Sequence, residues 1–301
     1  MLQPTETISI RRCQEHDHGR TEAAIKTDLF DSFLADRHLA GYSLHKIPTA
    51  TMQLLLDIGN TSIKWATWNG RQLGTTGSAI HFGALPIDLL AAWDELADIR
   101  EILVARVGPE SVLDAVARVA HARWDCPVTL IGTSAEAHGV RIAYAEPARL
   151  GVDRFLALIA AHAEHTGCKL IIDAGTAITY DLLLDDGTHL GGLILPGINL
   201  MRDTVLAGTQ IPRYEPASTD QCWAADTAEA VAAASIQAPA ALVERLWQRL
   251  QQETGTTPIL LIAGGDAERL LPAVDLPAVQ SPGLVLQGLS RFAEASDQDT
   301  D

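Results

Sequence analysis

From residue 52 onward, short apolar runs of strand length alternate with longer stretches in which apolar residues recur at helical spacing. This alternation is typical of an α/β fold. The pattern predicts strands at 54–58, 62–68, 101–107, 128–131, 169–173, 177–184 and 258–266, and helices at 84–97, 109–123, 151–165, 224–236, 238–252 and 283–294. Within the segment 191–206, Pro196-Gly197 separates one more strand from one more helix.

The stretches 54–65 and 170–181 repeat one design: an apolar strand, an Asp-x-Gly turn and a second strand-like run. The aspartates of the two turns are Asp57 and Asp173. A carboxylate can face a phosphate group only across a cation, so both residues are candidate ligands, direct or through water, for Mg²⁺ or a monovalent ion.

The turns themselves are suited to binding phosphate. Gly59 and Gly175 let backbone N–H groups approach an anion, while Asn60, Thr61 and Thr176 supply short polar side chains. Two such hairpins facing each other would close around one nucleotide. The alternative is a pair of ordinary hairpin turns, because Asp-x-Gly is common in proteins.

Other candidate residues each have a structural alternative. Lys64, at the end of the first returning strand, could reach a phosphate group or could face solvent. Gly264-Gly265, between a strand and a helix, could pack against a flat ring such as adenine or could serve only the turn.

The densest cluster of candidate site residues is the segment 144–154. Asp153 falls in the first turn of a predicted helix, where a carboxylate also favours the helix dipole without any catalytic role. Phosphoryl transfer requires a carboxylate that deprotonates the attacking hydroxyl group and a fixed cation that holds an anionic substrate. Asp153 and Arg154 offer both, and Gly151 would let a ligand approach the backbone.

Composition narrows the functional classes. The 301 residues are 47% apolar and carry a formal charge of −16, which opposes binding to nucleic acid. No apolar run is long enough to span a membrane and the N-terminus lacks a secretory pattern, so we expect a soluble, cytoplasmic protein. The four cysteines form no C-x-x-C pair and indicate neither a zinc site nor a disulfide framework: Cys13, Cys126, Cys168 and Cys222.

The chain divides into unequal regions. Residues 1–51 hold four of the ten histidines and lack amphipathic periodicity; we expect an extension that is disordered or loosely helical over 21–40, or a mis-assigned start upstream of Met52. Two lobes are predicted at 52–165 and 166–294, each opened by one hairpin. An acidic, disordered tail at 295–301 follows them.

The sequence resembles the type III pantothenate kinases of the acetate and sugar kinase, Hsp70 and actin superfamily, over about residues 52–290. The motifs that carry the resemblance are Asp57-Ile-Gly-Asn-Thr-x-x-Lys64, Gly151-Val-Asp-Arg154, Asp173-Ala-Gly-Thr-Ala177, Gly191-Gly-x-Ile-x-Pro-Gly197 and Gly264-Gly265. The resemblance implies two lobes of the actin-like, ribonuclease H-like ATPase fold with a nucleotide cleft between them. It also implies phosphorylation of pantothenate by ATP, the first step of coenzyme A synthesis.

The resemblance also assigns roles. Asp153 resembles, by its position in the motif, the general base of the family, and Arg154 would hold the substrate carboxylate. Asp173 resembles the family's ligand of a monovalent cation, K⁺ or NH₄⁺. The implied ATP site, with Mg²⁺ at Asp57, comprises Asp57, Ile58, Gly59, Asn60, Thr61, Ser62, Ile63, Lys64, Thr176, Gly264 and Gly265. The implied pantothenate site comprises Tyr144, Gly151, Val152, Asp153, Arg154 and Thr227. Because members of the family form dimers, the resemblance also implies a homodimer.

One departure and two rival functions stay open. Where the family often has Ser-Gly after Thr227, this chain has Ala233-Ala234, which puts the local helix geometry and the cation requirement in question. A related kinase acting on a sugar or short acid would share the hairpins. A non-catalytic nucleotide-binding regulator would share them too, although it has no need for the Gly-x-Asp-Arg segment.

Overall fold

The computed structural model describes residues 52–211 and 222–296. The predictions for residues 1–51 and for the tail beyond residue 296 lie outside this part of the chain.

The strands are β1 (Met52–Ile58), β2 (Ser62–Trp68), β3 (Leu73–Ile80), β4 (Ile99–Arg106), β5 (Val128–Ile131), β6 (Glu136–Ala137), β7 (Val140–Arg141), β8 (Lys169–Ala174), β9 (Ala177–Leu183), β10 (His189–Pro196), β11 (Ile259–Ala263) and β12 (Ala278–Gln280). The helices are α1 (Ile87–Asp94), α2 (Glu110–Arg123), α3 (Val152–Glu164), α4 (Ile198–Ala207), α5 (Thr227–Thr254), α6 (Ala267–Leu270) and α7 (Leu284–Ser296), with short 3-10 turns at Pro147–Arg149 and Leu271–Ala273.

Two five-stranded sheets repeat one topology. Their strand orders are β3-β2-β1-β4-β5 and β10-β9-β8-β11-β12. In each sheet the first three strands in sequence form an antiparallel meander, and the last two run parallel to the first strand. The central strands β1 and β8 are almost wholly buried, as expected for apolar runs covered on both faces. The predicted α/β fold, with two sheets that each begin with one of the hairpins, is confirmed.

The element prediction differs from the structure in several places, and strands β6, β7 and β12 and helix α6 were not predicted. The predicted helices at 224–236 and 238–252 are one helix, α5, which contains Pro239. Burial of Ile236, Ala240 and Val243 against the second sheet outweighs the one backbone hydrogen bond that proline removes. Strand β3 was not predicted, because its glycines, threonines and serine resemble a loop, yet it pairs with β2 at the sheet edge.

Helix α3 lies between the sheets. Its Val152 and Leu156 pack with α7 and the first sheet, whereas its Phe155 and Leu158 belong to the core of the second. Although α7 follows the second sheet in the sequence, it packs on α3 and on the first sheet. The N-terminus of α3 is therefore fixed where the lobes meet. Among the described residues, no helix has the length and apolar character needed to cross a membrane.

Candidate active site

A cavity of about 670 Å³ opens between the two Asp-x-Gly turns. The turns touch each other across it, since the hydroxyl oxygens of Thr61 and Thr176 are 2.9 Å apart. The cavity is therefore bounded by one hairpin from each sheet, and the N-terminus of α3 supplies a third side through Asp153.

The first hairpin places a carboxyl group beside a lysine. Asp57, near the end of β1, lies directly across the antiparallel ladder from Lys64 of β2, and both line the cavity. Within the turn, the Gly59 N–H donates to the Ser62 carbonyl oxygen at 3.0 Å. Because the strand ends at this turn, the Asp57 carboxyl group stays buried but reaches the cavity wall.

The second hairpin has the same Asp-x-Gly pattern with two changes. Asp173 of β8 lies across the ladder from Thr179 of β9, so a threonine occupies the position that Lys64 holds in the first hairpin. The Gly175 N–H donates to the Ala177 carbonyl oxygen at 3.0 Å. The turns also differ in length, because Asn60 and Thr61 lie between the bonded residues of the first turn and only Thr176 lies between those of the second.

Each turn is held from behind by the parallel strand that follows it in its sheet. The Ile58 carbonyl oxygen accepts hydrogen bonds from the N–H groups of Val107 and Gly108, both at 3.0 Å. The Ala174 carbonyl oxygen accepts one from Asp266 at 2.9 Å. A Cβ atom at Gly264 would overlap that same carbonyl group, and Gly264 has a φ of +95°, so glycine is required there.

Asp153 projects from the first turn of α3. One of its carboxylate oxygens accepts the backbone N–H of Arg154 at 2.8 Å, an N–H group of the first helical turn that has no partner within the helix. Burial raises the pKa of Asp153, against the opposing effects of that hydrogen bond and of the Arg154 charge. The raised pKa makes this carboxylate a stronger base than an exposed aspartate.

The cavity concentrates negative charge. Its described wall carries five aspartates and one lysine: Asp57, Asp153, Asp173, Asp203, Asp266 and Lys64. Burial raises the pKa of Asp57 to about 7; Lys64 lowers it, and the charges of Asp153 and Asp173 add to the rise. Burial likewise raises the pKa of Asp173, with Lys64 opposing and Asp153 reinforcing the shift. Three carboxyl groups thus repel one another across one space.

The carboxylates of the cavity wall suit a cation that is bound by the protein and by a ligand together. The Oδ1 atom of Asp173 is buried and has no hydrogen-bond partner within residues 52–211 and 222–296. Over those residues, no three His, Cys, Asp or Glu side chains are grouped closely enough to hold a metal by themselves. Mg²⁺ is usually held by one or two carboxylates together with substrate phosphates, and Asp57 and Asp173 match that donor set.

Arg154 does not line the cavity. It is 7% exposed and forms a bidentate ion pair with Asp181, with Nε–Oδ2 and Nη2–Oδ1 distances of 2.8 and 2.5 Å. Its Nη1 atom donates to the Tyr144 hydroxyl at 3.2 Å, and His189 Nε2 lies 3.0 Å from Asp181. No local pattern in the sequence indicates Asp181, which follows Arg154 by 27 residues.

The structure brings together ten of the predicted residues on the cavity wall: Asp57, Gly59, Asn60, Thr61, Ser62, Lys64, Asp153, Asp173, Thr176 and Gly265. The others lie off the wall. Ile58, Ile63 and Val152 are core residues, Gly264 supports the second turn, and Thr227 begins α5 on an exposed surface. Tyr144, Gly151 and Arg154 lie beside or behind Asp153.

Sequence reasoning missed several polar wall residues, among them Thr179, Asn199, Asp203 and Asp266. A comparison of the two hairpins would have found Thr179, because it matches Lys64 in register. Asn199 and Asp203 are four residues apart in α4, which puts both on one helix face. The two residues can be seen to share a face only once the segment is assigned to a helix.

Comparisons with known proteins relate this chain to one family. A sequence model of the family described as type III pantothenate kinase matches residues 53–249. A type III pantothenate kinase from Nitrosococcus oceani is 34% identical over 251 residues, covering 81% of this chain and 94% of that protein. One from Thiobacillus denitrificans is 36% identical over 251 residues, covering 81% and 97%.

Among solved structures, the chain is similar to a conserved Campylobacter jejuni protein named for the Baf family of transcriptional activators. The TM-score is 0.51 at 19% sequence identity, and the match covers 81% of this chain and 99% of that one. At this identity the similarity shows a shared fold alone.

Proposed function

We propose that this chain, which belongs to the type III pantothenate kinase family, transfers the terminal phosphoryl group of ATP to the primary hydroxyl group of pantothenate. The product would be 4'-phosphopantothenate, the first intermediate of coenzyme A synthesis. The observation that carries the proposal is the meeting of Asp57, Asp153 and Asp173 around one cavity that two touching turns enclose.

Asp153 is the general base in this proposal. Its position at the cavity wall and its raised pKa suit a carboxylate that takes the hydroxyl proton as the oxygen attacks phosphorus in line. Because Asp153 lies at the start of a helix that both lobes bury, its carboxylate would already be held in position when the acceptor binds.

The turn residues bind the phosphate chain. Asn60 and Thr61 of the first turn and Thr176 of the second line the cavity and offer backbone and side-chain donors. Lys64 adds positive charge on the same side, where it would neutralise part of the charge on the phosphate oxygens. Gly265 leaves room beside the second turn for the rest of the nucleotide.

Cations complete the site. Asp57 would hold Mg²⁺ bound with ATP, which would neutralise phosphate charge, and Asp173 would hold a monovalent cation, K⁺ or NH₄⁺. The support is the excess of carboxylates on the wall and the unpaired Oδ1 atom of Asp173 within the described chain.

The pantothenate pocket would lie beyond Asp153, formed by Tyr144, Gly151, Val152 and Arg154 with Thr227. A guanidinium group has five N–H donors. Asp181 and Tyr144 engage three of those of Arg154. The other two would bind the substrate carboxylate in this proposal.

We further propose that the protein works in the cytoplasm as a homodimer. Exposed apolar side chains on β10 and α4, such as Ile194 at 60% and Leu200 at 47% exposure, suit an interface between two copies. The formal charge of −16 argues against a nucleic-acid partner.

The proposal is tested by ADP release from the full chain with MgATP and one acceptor at a time: pantothenate, glucose or acetate. Each reaction is run in buffer containing K⁺, NH₄⁺ or neither. We expect release that depends on pantothenate and on a monovalent cation. Faster release with another acceptor would reassign the substrate, and ATP binding without consumption in any arm would overturn the proposed activity.

A further inference from the structure

His81 directly follows β3 and was not a candidate from the sequence. It is 4% exposed and lies behind the first turn, off the cavity wall. Its backbone N–H donates to the Thr61 carbonyl oxygen at 2.9 Å, and its ring Nε2 atom lies 2.9 Å from the Gly59 carbonyl oxygen. One buried residue therefore holds two carbonyl groups of the phosphate-binding turn.

The hydrogen bonds define the state of the ring. A carbonyl oxygen can only accept, so Nε2 carries the proton that is donated to Gly59. The other ring nitrogen, Nδ1, accepts the N–H of Gly83 at 3.4 Å. Both nitrogens are thus engaged in the neutral form, and the ring is held between the turn and the loop that follows it.

The contact with Gly59 fixes a peptide plane. The Gly59 carbonyl and the Asn60 N–H belong to one planar trans peptide unit, in which the two groups point in opposite directions. His81 holds the carbonyl from behind, and Gly108 packs so closely on it that a Cβ atom there would overlap the oxygen. The Asn60 N–H therefore points away from His81, and Asn60 lines the cavity.

The second hairpin provides an internal comparison. There the Gly197 N–H donates to the Thr176 carbonyl at 2.9 Å, just as His81 does to Thr61. At this equivalent position the backbone of Gly197 packs directly on the Gly175 carbonyl, where a Cβ atom would overlap it. Both lobes thus immobilise the carbonyl of the turn glycine, but the first lobe does so with an imidazole side chain.

We propose that His81 is a positioning residue for nucleotide binding: its imidazole holds the Gly59–Asn60 peptide so that the Asn60 N–H faces the phosphate groups of a nucleoside triphosphate. This inference rests on the proposed function only in placing phosphate groups at the first turn. It makes no claim about the acceptor.

The test compares two amide substitutions. His81→Gln places a side-chain N–H near the position of Nε2, whereas His81→Asn is one methylene shorter and cannot reach Gly59. His121→Ala, at an exposed histidine of α2, is the control. The dissociation constant of MgATP is measured by calorimetry on each full-length protein, and thermal unfolding checks that each is folded.

We expect His81→Asn to weaken MgATP binding about tenfold, the effect of one hydrogen bond, and His81→Gln to stay within about threefold of the unmodified chain. The KM for pantothenate should stay within about twofold, a separation that general loss of structure would not give. Equal MgATP affinity in all four proteins, or parallel loss for both substrates, would overturn the inference. If the unmodified chain binds MgATP but phosphorylates no pantothenate, the proposed function fails while the role of His81 is still tested.

Discussion

At the residue scale, the most informative group is the Asp57 carboxyl, whose pKa burial raises to about 7. Between about pH 4 and pH 7, the Asp57 carboxyl group therefore stays protonated in the folded, ligand-free protein, whereas in the unfolded chain it has already lost its proton. The free energy of unfolding should therefore fall as pH rises from about 4 to 7, because folding must bury an increasingly charged group.

Asp57→Asn removes this contribution. We expect the variant to gain stability relative to the unmodified chain between pH 5 and pH 8, by up to about 4 kcal/mol. Urea unfolding in buffers without divalent cations measures the difference at each pH. Asp114→Asn, at an exposed carboxyl group of α2, is the control and should show no such trend. Parallel profiles for Asp57→Asn and the unmodified chain would contradict the assigned pKa.

Residues within one short motif could be predicted from the sequence, since each Asp-x-Gly pattern indicates a hairpin turn and so places Asp57, Thr61 and Thr176 at or beside a turn. Residues that reach the cavity from separate elements could not. Asp203 comes from α4 and Asp266 from the turn after β11, and only the packing of the second sheet brings them to the same wall.

At the element scale, the turn after β11 supports the second hairpin through one of two adjacent glycines. Gly264 has a positive φ and touches the Ala174 carbonyl, whereas a Cβ atom at Gly265 would meet open space. Gly264→Ala should lower the free energy of unfolding by roughly 2–3 kcal/mol, the sum of backbone strain and overlap.

Gly265→Ala is the matched control, one residue away, and should change the free energy of unfolding by less than about 0.5 kcal/mol. Denaturant titration of the two variants side by side provides the measurement. Equal stabilities would show that the close approach of Gly264 to Ala174 does not constrain the fold.

Elements with strong periodicity were predictable, and those determined by their neighbours were not. The apolar runs of β1, β4 and β8 predict buried strands in the order in which they occur along the chain. Strand β3 depends on pairing with β2, and the continuity of α5 through Pro239 depends on burial against the second sheet. Local propensity is weaker than these tertiary contacts.

At the scale of the whole molecule, two sheets share one topology, and the cavity lies where their equivalent hairpins meet. The second lobe lacks a counterpart of Lys64 and of the His81 side chain, so the repeat is asymmetric in charge. In the proposed function, Lys64 would add positive charge beside the phosphate groups, and the second lobe would hold the monovalent cation at Asp173. Helix α3, buried by both lobes, carries Asp153 into that junction.

The central claim is that Asp153 removes the acceptor's proton in a cavity that both lobes build. The most direct test is a single-turnover reaction of the full chain and of Asp153→Asn, with MgATP in each case bound to saturation before pantothenate is added. Mass spectrometry quantifies phosphopantothenate over time. We predict equal MgATP affinity for the two proteins and a rate at least about 100-fold lower for Asp153→Asn. A similar rate in both proteins would contradict the account.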